Sequence, residues 1–125
     1  MTEELNPVNW FEIPAININK AKQFYESVFN IELSLNDMDS LKMAWFPMTE
    51  NAPGSTGALV QAEGYTPSHA GTQVYFSVED IEATLDKVTL NGGKVLGPKK
   101  SIGEYGFVAY FEDCEGNRIS IHSKK

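Results

Sequence analysis

A chain of 125 residues suits one domain, and 42% hydrophobic with 22% charged residues is the composition of a globular protein with a real core. Seventeen acidic against ten basic residues give a net charge of −7. That balance opposes binding to polyanions, because Lys99 with Lys100 and Lys124 with Lys125 are the only basic pairs and no stripe exists to displace counterions from nucleic acid. The opening stretch from Met1 to Pro7 lacks the pattern of a secretory signal, and no apolar run reaches the length of a membrane span, so the expected setting is the cytoplasm.

In chain order, the first expected strand covers Val8 to Ile13. A helix follows from Ile18 to Phe29, capped by Asn17, with Ile18, Ala21, Tyr25, Val28 and Phe29 as its apolar stripe. Strands are expected at Ile31 to Leu35, Lys42 to Met48 and Gly57 to Ala62. A second round begins with a strand from Thr72 to Val78 and a helix from Ile81 to Asn91, capped by Asp80, with Ile81, Leu85 and Val88 inward and Gly92 and Gly93 closing it. Strands at Lys94 to Leu96, Gly106 to Glu112 and Asn117 to Ser123 complete the round, the last two joined by a turn through Glu115, Gly116 and Asn117.

The rounds repeat in register. Asp80 minus Asn17, Ile81 minus Ile18 and Gln73 minus Trp10 each give an offset of 63. The sequence therefore reads as a duplicated strand-helix-three-strand unit, with module one at about 6–63 and module two at about 70–123 of a single domain.

Strand parity then sorts the side chains. Trp10 with Glu12, Gln73 with Tyr75 and Ser77, and Arg118 with Ser120 and His122 share one face, while Phe11, Ile13, Val74, Phe76, Val78, Ile119 and Ile121 share the other. One face packs; the half-polar face is expected to line a groove between the modules. Glu12 is the candidate catalytic group, as a general base or a cation acceptor, with a salt bridge to Arg118 or Lys42 as its alternative. Trp10, Trp45, Tyr75 and Tyr105 are candidates for stacking on a planar or cationic ligand. Gln73, Ser77 and Ser120 would orient it, and His122 is a candidate proton shuttle. Glu104 and Tyr105, in the glycine-hinged segment Gly103 to Phe107, are secondary candidates, whereas His69 and Cys114 are read as a surface residue and an incidental thiol. No nucleophile triad or phosphate-cradling glycine loop is recognisable.

The segments Asn9-Trp-Phe-Glu-Ile-Pro14, Asn19 to Tyr25, Gly71 to Asp80, Asn91-Gly-Gly-Lys-Val95 and Glu112-Asp-Cys-Glu-Gly-Asn-Arg118, in this order, resemble the glyoxalase, bleomycin-resistance and extradiol-dioxygenase (vicinal oxygen chelate) superfamily, in particular its small glyoxalase-related members. The resemblance implies an α+β fold of paired βαβββ modules, a curved, mixed half-barrel sheet around a groove with helices outside, and a homodimer. It also implies where a divalent ion would sit: on Trp10 and Gln73 from the first strands, on Ser120 from the last strand of module two, and on an unaligned residue within Gly57 to Gln61. Those residues lack the imidazoles and carboxylates that such an ion needs. The expectation is a metal-free small-molecule binding protein without a cofactor, its ligand cationic or aromatic. The alternative is a glyoxalase-like lyase or isomerase acting on a small carbonyl compound, with Glu12 as base and a displaced metal held by Glu12 and His122. In a third reading the groove is collapsed by Trp10, Trp45 and Tyr75 packing on one another.

Overall fold

The computed structural model describes residues 6–125, so most of the acidic opening stretch lies outside the described residues. The first module places β1 (Phe11–Pro14), α1 (Ile18–Phe29), β2 (Ser34–Met38), β3 (Leu41–Trp45) and β4 (Gly57–Ala62) in one four-stranded sheet of order β1-β4-β3-β2. The second repeats it with β5 (Tyr75–Ser77), α2 (Ile81–Leu90), β6 (Lys94–Ser101), β7 (Phe107–Glu112) and β8 (Arg118–Ser123), ordered β5-β8-β7-β6. In each sheet the first strand is parallel to the last and the remaining pairs are antiparallel. Among the described residues the strands form no closed barrel, and the expected α+β class of two βαβββ units is what the chain adopts.

The helices form where their caps are. Asn17 accepts from the Lys20 N–H and Asp80 from the Ala83 N–H, so cap and capped donor both repeat at the offset of 63. Ile18 and Ile81, first in each helix, are 3% and 0% exposed. Phe24, outside the expected stripe, is also buried and widens the apolar face of α1.

The strand ends differ from the alternation pattern for identifiable reasons. β1 starts at Phe11 because its partner β4 starts opposite it at Gly57, while the chain before Gly57 turns away and Thr56 donates to the Pro47 carbonyl. A side chain at Gly57 would overlap the Phe11 carbonyl, so glycine allows this close parallel start. β3 stops at Trp45, two residues before Pro47, and the β2–β3 hairpin sits later than expected because Asp39 takes a left-handed turn (φ 61) held by Asp37. Conversely β6 runs on through Gly97 and Pro98 to Ser101, past its expected end at Leu96. It is an edge strand, and a bulged register absorbs them where no outer ladder bond is needed.

Among the described residues no ladder bond joins the two sheets; side chains do. Phe11 of β1 meets Phe76 of β5 edge to face at 5.7 Å, Phe29 stacks on Phe76 at 4.6 Å, and Tyr25 and Phe46 complete the cluster. Beneath it Asp113, 2% exposed, accepts four hydrogen bonds: from the Tyr25 hydroxyl at 2.6 Å, the Asn117 amide group, and the Glu115 and Asn117 N–H groups. Asn117 also donates to the Pro14 carbonyl, and Glu115 accepts from the Ile16 and Asn17 N–H groups at the start of α1. The β7–β8 turn of one module thus holds the β1–α1 junction of the other.

Burial, reinforced by Asp113, keeps the Tyr25 hydroxyl protonated well above its ordinary value of 10.0. Tyr25→Phe removes a donor from a buried carboxylate and is expected to cost about 1.5–3 kcal/mol in urea unfolding at neutral pH. The raised value means that stability held below pH 10 is lost as the unfolded chain ionises above it, so the variant should also show a shallower loss of stability at alkaline pH. Burial, with Asp113 and Glu115 beside it, pushes the Cys114 thiol up to about 12. At pH 8 the native protein should therefore be alkylated by iodoacetamide far more slowly than the urea-unfolded chain, as read by mass spectrometry.

Candidate functional site

Edge strands β1 and β5 lie alongside one another, and the seam between them opens into a cleft of about 720 Å³. Its walls carry Trp10 and Glu12 from the β1 side, Gln73 and Tyr75 from the β5 side, and Asn117 and Arg118 from the start of β8. The loop over one end is fastened by the Arg118 N–H to the Ser68 carbonyl and the Ser68 N–H to the Asn117 side chain. A larger open cleft of about 1050 Å³, between the 46–56 loop and α2, is lined by Phe29, Phe46, Met48 and Phe76.

Within the seam the Glu12 carboxylate is exposed and accepts from the Trp10 indole at 3.2 Å and from the Tyr65 hydroxyl at 2.7 Å, which raises the pKa of Tyr65. Neither Arg118 nor Lys42 pairs with it. Trp45 lies outside the cleft lining but packs edge to face on Trp10 at 5.8 Å. Tyr75 stands apart from both indoles and is 51% exposed, so the three do not fill the groove. Ser120, fully buried, donates to the Gln73 side-chain carbonyl at 2.8 Å.

The other predicted residues gather elsewhere. His122 donates from Nε2 to the Tyr105 carbonyl at 2.6 Å, since a carbonyl only accepts. It lines a separate cleft of about 340 Å³ with Ser77 and Glu79. Glu104 and Tyr105 form the short turn Gly103–Tyr105, and both are exposed. Glu12 and His122 thus face different clefts, and among the described residues no group of three or more His, Cys, Asp or Glu is placed to hold a metal ion.

Register also resolves the ambiguous fourth position. Tyr75 pairs with Ser120 as Glu12 pairs with Ala58, so the module-one counterpart of Ser120 is Ala58. The four positions where the family would ligate an ion therefore carry an indole, a methyl, an amide and a hydroxyl. The amide oxygen, the one reasonable donor, already accepts from the hydroxyl. A divalent ion does not fit this set.

Three contributors escaped the list of candidates. Tyr65 lies in a loop with no periodic signal. Tyr110 shares the parity of Val108 and Glu112, a legible signal; the Tyr75 hydroxyl raises its pKa while the Arg118 charge pulls it down. Arg118 has the right parity and was read only as a salt-bridge partner.

Comparison with known proteins agrees with this architecture. The profile of the Glyoxalase/Bleomycin resistance protein/Dioxygenase superfamily matches residues 8–121. A glyoxylase-like domain-containing protein of Didymella fabae is 30% identical over 118 residues, 91% of each chain. Among solved structures, a glyoxylase/bleomycin resistance protein/dioxygenase domain from Frankia sp. EAN1pec has a TM-score of 0.73 at 14% identity, over 97% of this chain and 99% of its own. Glyoxalase I from Zea mays has a TM-score of 0.70 at 18% identity; this chain matches over 94% of its length and spans 46% of the maize chain. With a profile match over nearly its whole length and the paired βαβββ fold, the chain belongs to the glyoxalase/bleomycin resistance protein/dioxygenase superfamily.

Proposed function

We propose that this protein is a metal-free, cytoplasmic small-molecule binding protein of the glyoxalase/bleomycin-resistance type, with its ligand in the β1–β5 seam. One observation carries the reading. The four family ligand positions hold Trp10, Ala58, Gln73 and Ser120, two of them hydrogen-bonded to each other, beside a cleft of about 720 Å³. That volume lies in the ordinary range for small ligands, and the aromatic walls with a few fixed polar groups suit a planar one. The expectation of a cation rested on Glu12, Glu104 and the overall charge. Glu104 lies away from the seam, and Arg118 shares it with Glu12.

The catalytic alternative keeps one specific support. Glu12 is a carboxylate at the mouth of the cleft, oriented by Trp10 and Tyr65 and open to a bound molecule, the arrangement of a base awaiting a carbonyl compound. A displaced metal on Glu12 and His122 has no such support, because the two line different clefts.

Metal analysis of protein purified from lysate should find far less than one ion per chain, with a melting temperature unchanged by EDTA. Near-stoichiometric Ni, Zn, Mn or Fe, lost on Glu12→Gln, would favour the enzyme. A thermal-shift screen of aromatic amines, aromatic acids and 2-oxoaldehydes should find stabilising compounds. A ligand at a hundred times its dissociation constant adds about 2.7 kcal/mol. We further propose a homodimer, in keeping with the exposed Val8 and Met48 beside the larger cleft. Light scattering after gel filtration should then give twice the chain mass of 13.9 kDa.

A further inference from the structure

Arg118 is the one basic residue lining the β1–β5 cleft. Its Nε is buried without a hydrogen-bond partner among the described residues, the sole side-chain atom there in that condition. Among the described residues no carboxylate lies within salt-bridge distance of its guanidinium. Its cross-strand neighbour Glu112, which register places directly opposite, is engaged instead by His69 at 2.8 Å. Glu12, on the far wall, is engaged by Trp10 and Tyr65. A guanidinium held beside a cavity with an unsatisfied donor is costly unless something accepts from it.

We propose that Arg118 is the anchor for a carboxylate ligand, and that the seam binds a small aromatic carboxylic acid. A carboxylate in the cleft meets the two Nη groups end-on, a bidentate geometry that matches the guanidinium fork to both carboxylate oxygens. The charge count selects a monoanion. One cation faces the site, Glu12 stands opposite, and the chain as a whole carries −7, so a phosphate dianion would meet more repulsion than attraction. The net charge does not prevent a monoanion from binding, because salt screens distant charges beyond about 8 Å while the guanidinium is in contact. The ring would lie between Trp10 and Tyr75, whose side chains line the same cleft.

This inference rests on the seam being the binding site proposed above, and the test separates the two. Benzoate, benzamide and benzylamine, matched in shape and different in charge, are titrated into ¹⁵N-labelled full-length protein and followed by amide and indole shifts. Benzoate is expected to shift Trp10, Gln73 and Tyr75 and to bind at least tenfold more tightly than the other two. Arg118→Met should weaken benzoate at least tenfold while leaving benzamide unchanged. Arg118→Lys, which keeps the charge and loses the fork, should fall between and serves if the Met variant folds poorly. Benzamide or benzylamine binding as tightly as benzoate, or benzoate binding unaltered in both variants, overturns the carboxylate anchor while leaving the seam as the site. Failure of all three probes to move the seam resonances overturns both.

Discussion

Strands β1 and β5 face each other across this molecule without pairing, and its recognisable site follows from that. The Ala15 N–H bonds the Val60 carbonyl, so β1 turns the backbone groups of Phe11 and Ile13 toward β4 and those of Glu12 and Pro14 outward. Likewise Val78 and Val74 bond β8, leaving Tyr75 and Ser77 facing β1. Pro14 has no N–H to offer, and its carbonyl is taken by the Asn117 side chain. The ladder cannot zip through the seam, and the gap becomes a cleft with Trp10, Glu12, Gln73, Tyr75 and Arg118 on its rim.

A gap in a sheet is tolerable only if something else fixes its two sides. Here it is the aromatic cluster on the apolar face, with Phe11, Phe29, Phe46 and Phe76 bridging the modules, and the Asp113 carboxylate with its four donors. A buried carboxylate is expensive without partners and strongly directional with them. Tyr25 belongs to module one and Asp113 to module two, so their hydrogen bond is one of the contacts between the repeats that set the geometry across the seam.

Much of this was legible from alternation and caps. The parity that puts Phe11 with Ile13 and Trp10 with Glu12 on opposite faces survives in the structure, as does the repeat that makes Asp80 the counterpart of Asn17. Strand ends were less legible: β1 starts at Phe11 because its partner β4 starts opposite it at Gly57, a tertiary matter. Among site residues, parity drew Trp10, Glu12, Gln73 and Tyr75 to one cleft, and Ser120 to Gln73. It also placed His122 on the same face, but parity carries no information about position along a strand, and His122 sits one full repeat beyond Ser120, bonded to Tyr105. Arg118 was visible as a residue and invisible as an unpaired one, since only three dimensions show that His69 holds Glu112.

The donor chemistry at Trp10, Ala58, Gln73 and Ser120 and the orphaned Arg118 Nε point the same way: a family scaffold whose seam meets its ligand through hydrogen bonds, aromatic walls and one cation. The most direct test is residue-resolved amide hydrogen exchange. If the seam is open, the Glu12, Tyr75 and Ser77 amides should exchange orders of magnitude faster than those of Leu59 and Ile121 in the adjoining strands. Equal protection on both sides would mean that β1 and β5 are paired and that no cleft lies between them.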